Sequence, residues 1–264
     1  MKSASLYTGL FVLMVSFHAF GQGTSTQTTM DLLKQLQSSD FQKREKAFEI
    51  LSRNPAVFRT LATSAALVDL LIRENEEIES AHGASGGAAG MPEKYGEGYS
   101  EYYAQVLGAV DQIGDKRNPK VVAALANGSY NGDSEFIKKL AKEHGMEALP
   151  VILEMCKSGI TPRRMQAQES LGTFALNMPS PTASTLATIR TAVLDGLADK
   201  SMAVRQNAVK DLGIIGTRDD IPRLRRVADE DSGVLLPDRK TRRYFVRETA
   251  QKSIADINRR FPQH

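Results

Sequence analysis

The chain of 264 residues is 41% hydrophobic and 25% charged, which is the composition of a globular protein with a buried core. It contains no tryptophan and only 6% aromatic residues, so a core of alanine and aliphatic side chains, as in packed helices, is favoured over a β-sandwich or β-barrel. The formal net charge of +3 is too small to argue for nucleic-acid binding. The only cysteine, Cys156, excludes an intrachain disulfide, and its place on a regular apolar face predicts a buried core residue rather than a reactive thiol.

The N-terminus has the pattern of a targeting segment. Lys2 precedes an apolar run at 6–20, and Ala19 and Gly21 are the small residues that a signal-peptide cleavage site requires. The run is shorter than the roughly 20 apolar residues of a membrane helix, although an uncleaved anchor is the alternative. We therefore expect a signal peptide at 1–21 and an exported protein, periplasmic or secreted, with no integral membrane span after cleavage.

The first half of the mature chain is predicted to be helical with one interruption. Residues 22–29 are polar and rich in Ser and Thr, which predicts a disordered leader before a domain at 30–264. Asp40 is positioned to cap a helix. Six glycines and Pro92 at 82–98 predict a flexible insertion between helices. The helices predicted here are 30–37, 43–53, 57–80 (as one helix or two), 99–113 and 118–126.

The second half alternates regularly between apolar helical patterns and turn residues. Gly145 is predicted to end one helix before the next begins. The predicted helices are 134–144, 147–157, 162–176, 184–198, 203–215, 222–228 and 240–260, with a loop at 229–238 between the last two. Because no stretch sustains an alternation of period two, the fold class predicted for the chain is all-α.

One helical pattern recurs along the chain. In the stretch at 204–216, Val204, Ala208, Leu212 and Ile215 share one helix face. Copies with the same Arg and Ala spacing begin at Arg44, Arg164 and Val246, and a weaker copy covers 102–115. The anchor alanines of the last three copies are spaced by 41 and 42 residues, at 167, 208 and 250. A period near 40 with two helices per unit is typical of a helical solenoid.

The pattern V-R-x-x-A-x-x-x-L-G-x-I-G at 204–216 resembles the HEAT and HEAT-like repeats, including those of the bilin-lyase HEAT-like class. The resemblance covers most of residues 30–260 in outline and is sharpest in the last three units. It implies a right-handed α-solenoid of antiparallel helix pairs with about five to six units. It also implies that Arg44, Arg205 and Arg247 pair with an acidic residue of an adjacent unit, with Arg164 a weaker match. No bilin-ligand signature accompanies the pattern, so a lyase role is not implied.

Catalytic and metal-binding motifs are not supported by their context. Residues 83–87 fit G-x-S-x-G, but a nucleophile elbow requires a strand before the serine, whereas a Glu-rich helix is predicted there. No Lys-Ser/Thr pair follows the glycines to form a phosphate loop. The histidines His82, His144 and His264 are scattered, which does not favour a metal site. No catalytic residue, cofactor or metal is therefore predicted, and we do not expect an enzyme.

Two groups of residues are candidates for interaction. Tyr95, Tyr99, Tyr102 and Tyr103 lie beside the Gly-rich insertion, where they serve either an interface or the repeat core. The second group is a basic cluster on both sides of the loop at 229–239, which would meet an acidic partner or an anionic envelope surface. Its candidate residues are Arg223, Arg226, Arg242 and Arg243.

The function expected from these features is that of a non-catalytic scaffold that binds protein partners over its curved surface. One alternative is an enzyme or ligand-binding protein in which the Gly-rich insertion and the tyrosines form a site. A third is an accessory subunit of an envelope complex, contacted through the basic C-terminal unit.

Overall fold

A computed structural model describes residues 26–85, 98–128, 134–234 and 242–262. Over these ranges the chain forms α-helices and no β-strand, which confirms the all-α class. The signal-peptide prediction at 1–21 lies outside the described residues. The helices are α1 (Thr26–Leu36), α2 (Phe41–Ser52), α3 (Pro55–Phe58), α4 (Leu61–Ser85), α5 (Tyr99–Ile113), α6 (Pro119–Gly128), α7 (Ser134–Cys156), α8 (Thr161–Asn177), α9 (Ala183–Gly196), α10 (Met202–Ile215), α11 (Ile221–Glu230) and α12 (Phe245–Arg260).

The first helix begins earlier than predicted. Helix α1 starts at Thr26, so the second half of the predicted leader at 22–29 is helical rather than disordered. The helix is held by Leu32 and Leu36, which are buried where α1 packs against α2 and α4. The predicted cap of α2 is confirmed, because the Asp40 carboxylate accepts the backbone N–H of Gln42 at 3.0 Å.

The predicted Gly-rich insertion is shorter at its start than expected. Helix α4 continues to Ser85, so the first four residues of 82–98 are helical, and 86–97 lie outside the described residues. Gly98 precedes α5 with a φ of +96°, in the left-handed region that glycine tolerates best. The bounds of α5 are those predicted.

Helix α7 contains the two helices predicted at 134–144 and 147–157, which meet at a kink. The backbone leaves the helical conformation at His144, which has a φ of −141° and a ψ of 28°. Gly145 is the buried residue beside the kink, and a Cβ there would lie 2.5 Å from Met178 Cγ. Pro150 lies farther along and removes one backbone N–H from the second helix. The predicted break between the two helices is therefore confirmed.

The C-terminal half is organised around three helices that lie side by side. Helix α8 packs against α10 and α10 against α12, while α9 contacts both α8 and α10, and α11 contacts α12. The anchor alanines Ala167, Ala208 and Ala250 are fully buried at these contacts. Asn207 Nδ2 donates to the Met165 carbonyl at 3.0 Å, across a separation of 42 residues. The helices that neighbour each other are thus those that the sequence period relates.

Candidate functional site

The candidate tyrosines lie in the core. Tyr99, Tyr102 and Tyr103 are 0%, 4% and 1% exposed, so their interpretation as an interaction surface is wrong and the core interpretation is confirmed. Tyr95 lies outside the described residues. The three side chains can be buried because their hydroxyls find acceptors on helix α4. Tyr99 and Tyr102 donate to Glu74, at 2.6 and 3.1 Å, and Tyr103 donates to the amide oxygen of Asn75.

Glu74 is the centre of this buried network. Its carboxylate accepts from Arg44 Nε at 2.7 Å and from Nη2 at 3.3 Å, and neither side chain is exposed. The remaining nitrogen, Nη1, donates to the carbonyls of Ser38 and Ser39 at 3.0 and 3.1 Å. Burial and then the charge of Glu74 raise the pKa of Tyr99, so the phenol stays a donor. Each guanidinium nitrogen of Arg44 therefore has an acceptor, and the network joins α2, α4 and α5. The guanidinium has no nitrogen left to bind a ligand.

The arginine–carboxylate contact recurs in the later repeats. Arg205 Nε and Nη2 donate to the Asp231 carboxylate at 2.6 and 3.1 Å, and Arg164 makes the same fork to Asp199 at 2.7 and 3.2 Å. Each arginine also donates Nη1 to a carbonyl six residues before it, at 2.9 Å from Arg205 to Asp199 and 2.8 Å from Arg164 to Ser158. The carboxylate follows its arginine by 35 residues for Arg164 and 26 for Arg205.

The expected pairing is confirmed for Arg44 and Arg205, and Arg164 makes it as well. Arg247 differs, because its Nε donates to the backbone carbonyl of Asp231 at 2.6 Å. No carboxylate among the described residues pairs with Arg247. Burial alone would raise the pKa of Asp231, but the hydrogen bonds from Arg205 and from the Gly233 N–H, together with the charges of Arg205 and Arg247, outweigh it, and the pKa lies below its usual value. These arginines therefore stabilise the contacts between helices, and their side chains are not available to bind a ligand.

Asp211 is a buried acid on α10, although aspartate is rarely buried without a counter-ion. It is 1% exposed, between α8 and α10, and its Oδ2 accepts the backbone N–H of Gly172 at 2.9 Å. The absence of a side chain at Gly172 is required, since a Cβ there would lie 2.5 Å from Asp211 Oδ1. Burial raises the pKa of Asp211 well above its usual value.

The basic residues near the C-terminus are exposed. Arg223 and Arg226 lie on the outer face of α11, opposite the buried Ile221 and Leu224. Arg242 is exposed just before α12, and the hydrogen bond from Arg247 to Asp231 places the start of α12 beside the end of α11.

Arg243 is the exception within this group, because it pairs with Glu248 and lies 4.4 Å from the centre of the Phe245 ring. Within the described residues, Arg223, Arg225, Arg226 and Arg242 form no ion pair or hydrogen bond; we call these four the basic patch.

Of the remaining motifs, residues 83–85 of the G-x-S-x-G match and Cys156 are among the described residues. Ser85 ends helix α4, and a helix rather than a strand precedes it. Cys156 is half-buried, and burial raises the pKa of its thiol to about 12, so the thiol is protonated at neutral pH. In the described ranges no three His, Cys, Asp or Glu side chains are grouped to hold a metal ion. Within the same ranges no helix has the length and apolar character needed to cross a membrane.

No protein-family model and no curated protein matches the chain. Among solved structures it is similar to the crystal structure of an engineered protein, a Northeast Structural Genomics Consortium target. The two are 15% identical, the similarity covers 88% of this chain and 96% of that one, and the TM-score is 0.41. A likeness at this level carries no argument about function.

Proposed function

We propose that the chain is an exported, non-catalytic scaffold that binds a protein partner, built as a right-handed α-solenoid of HEAT-like repeats with about five to six helix pairs. The lateral contacts of α8, α10 and α12 support this architecture, because they join residues one period apart. Ser253 Oγ, for example, donates to the Val209 carbonyl at 2.8 Å across 44 residues. The recurring arginine forks at Arg164 and Arg205 also support it, since a solenoid repeats its braces from unit to unit.

The observation that carries the proposed binding function is the basic patch. Exposed cations elsewhere in the described ranges are often tied to acids of other helices, as Lys120 is to Asp69 at 2.7 Å and Lys139 is to Asp111. The four arginines of the basic patch have no such partner, so their charge is available to an acidic surface of another protein. Arginine is the residue best suited to this role, because its fork binds carboxylates with two hydrogen bonds.

Export is supported by the N-terminal pattern at 1–21 and places the partner in the cell envelope or outside the cell. The alternative site at the Gly-rich insertion is not favoured, because the hydroxyls of Tyr99, Tyr102 and Tyr103 already donate to buried acceptors. The basic patch, by contrast, also suits an accessory subunit of an envelope complex contacted at its C-terminal unit.

Affinity purification with quantitative mass spectrometry tests this function. The tagged protein is expressed in its own host and recovered from the envelope fraction as wild type and as the triple variant R223E/R226E/R242E. The matched control, K46E/R59E/K142E, makes the same change in net charge at exposed cations without an ion pair in the described ranges. We expect one acidic partner to be enriched with the wild type and the control and lost with the patch variant.

Salt gives a second measurement on the recovered complex. Because exposed charges are screened, the partner is expected to dissociate between about 0.1 and 1 M salt, over which the Debye length falls from about 10 to about 3 Å. Equal recovery of the partner by the patch variant contradicts a binding surface at α11, and a complex that resists 1 M salt contradicts its electrostatic origin.

A further inference from the structure

A groove lies between four helices of the C-terminal half, and none of its lining residues belongs to the basic patch. It has a volume of about 350 Å³ and is walled by α7, α8, α9 and the start of α10. Its apolar wall includes Leu153, Ala192 and Val204, and its polar wall includes Thr188, Thr191 and Asp195 on α9. A volume of this size lies in the range of small-ligand pockets.

Two hydroxyls on the wall of the groove already donate their protons within their own helix. The Thr188 hydroxyl donates to the Ser184 carbonyl at 3.0 Å, and the Thr191 hydroxyl donates to the Ala187 carbonyl at 2.9 Å. In each case the proton is used within the helix, so the oxygen presents only lone pairs to the groove. The hydroxyls on this wall are therefore acceptors.

Gln168 adds an acceptor whose hydrogen bond is missing. Its Nε2 donates to the Ala192 carbonyl at 2.9 Å, while its Oε1 has no partner among the described residues. The side chain lines the groove and is only 2% exposed, so the unpaired oxygen costs stability unless a donor reaches it. Gly196, another lining residue, leaves the space beside this amide, where a Cβ would lie 2.7 Å from Oε1.

The charge of the groove is negative. Asp195 is exposed and forms no ion pair within the described residues. The charge of Asp199 is neutralised by Arg164, whose Nε lies 2.7 Å from the carboxylate. Lys157 also lines the groove, but its Nζ pairs with Glu154 at 2.9 Å and its side chain is 72% exposed. One uncompensated carboxylate thus faces a wall of acceptors.

We propose that this groove binds an organic cation with several N–H donors, an alkylguanidinium or a primary alkylammonium. The alkyl part lies along Leu153 and Val204, and the cationic head donates to Asp195 and to the Thr188 and Thr191 oxygens. The same chemistry is found in a free small molecule and in an Arg or Lys side chain of another protein. The site is separate from the basic patch, and the inference stands without the proposed scaffold function.

NMR titration of the ¹⁵N-labelled protein with butylguanidinium tests the proposal. We expect shifts concentrated at the amides of 188–199 and a dissociation constant in the millimolar range, as for a ligand of this size. Asp195→Asn is expected to weaken binding about fivefold, which is the usual contribution of one partly exposed ion pair. Asp229→Asn, an exposed acid on α11 without an ion pair in the described ranges, is the control and is expected to leave binding unchanged.

Further ligands and one further variant test which chemical groups the groove recognises. Pentanol and valerate have similar length without the positive charge and are not expected to bind, and Thr191→Val is expected to weaken butylguanidinium binding by removing one acceptor. Tighter binding of a capped Gly-Arg-Gly peptide than of butylguanidinium identifies a protein side chain as the source, and the reverse order identifies a small molecule. The proposal is overturned if butylguanidinium causes no shifts at 188–199 up to about 50 mM, if valerate binds equally, or if Asp195→Asn binds like the wild type.

Discussion

Replacing Glu74 with glutamine tests the buried network at the N-terminal end of the domain. The substitution keeps the shape of the side chain but removes its charge. Arg44, which is 0% exposed, is then a buried cation whose remaining carboxylate is Glu77, 3.9 Å from its Nη2 and partly exposed to solvent. Removing one partner of a buried ion pair costs about 3–5 kcal/mol. The amide nitrogen also replaces one of the two oxygens that accept from Arg44, Tyr99 and Tyr102, which places two donors opposite each other.

Urea unfolding followed by circular dichroism at 222 nm measures this loss as a fall in the free energy of unfolding. For a domain of this size, each kcal/mol lowers Tm by about 2–4 °C, so thermal unfolding is expected to move down by about 6–20 °C. The matched control is Glu49→Gln, because Glu49 pairs with Arg53 at the surface, where the two side chains are 55% and 76% exposed. That pair is screened by solvent, and its loss is expected to be hard to measure.

A second variant separates the charge from the packing. The double substitution Arg44→Met with Glu74→Leu removes both buried charges but also leaves the Tyr99 and Tyr102 hydroxyls without their acceptor, so it is expected to recover part of the stability lost by Glu74→Gln alone. The reasoning is refuted if Glu74→Gln destabilises the protein by less than about 1 kcal/mol, or if the double variant is less stable than the single one.

Two further substitutions probe the contacts between repeats and the ends of helices. Asp211→Asn keeps the acceptor for the Gly172 N–H. Because the pKa of Asp211 is raised in the folded state, the wild type loses stability as pH rises from the unfolded pKa toward the folded pKa, whereas the Asn variant does not. The urea midpoint of the Asn variant relative to the wild type is therefore expected to rise from pH 5 to 8, and a constant difference would contradict this. Gly114→Ala, just after helix α5, places a Cβ 2.6 Å from the Val110 carbonyl oxygen and is expected to cost about 1–3 kcal/mol. Gly108→Ala, inside α5, meets nothing within 4 Å and is expected to stabilise by about 0.4–1 kcal/mol; equal Tm shifts for the two would refute the steric argument.

Helix positions were predictable where the apolar period and the turn residues agree. Helix α5 has the predicted bounds, Tyr99–Ile113, because Gly98 and Gly114 stop the helix on both sides. The break inside α7 was predictable from Gly145, because the backbone leaves the helical conformation at the adjacent His144. The close approach of Gly145 to Met178 was not predictable, since Met178 lies after α8 and no local pattern connects the two residues.

The candidate sites were less predictable than the helices. The pairing of Arg205 with an acidic residue was implied by the resemblance of its stretch to the HEAT-like repeats. The burial of Tyr102 did not follow from sequence, since tyrosine suits a core and an interface equally until its partner is known. That partner, Glu74, lies 28 residues earlier on another helix, and no local pattern connects the two. The groove beside Asp195 escaped prediction for the same reason, because four helices build it.

The amino-acid sequence by itself determined that the chain is helical, where its second half divides into units, and which small and apolar residues, such as Ala208 and Leu212, face the core. It could do so because helical period, capping and chain-breaking residues act within a few positions of each other. Only the tertiary structure decided which polar groups are buried and paired, as at Glu74 and Asp211, and which remain open, as at Asp195. Burial and pairing depend on the helices that cover a side chain, and those lie about 30 to 40 residues away in the chain.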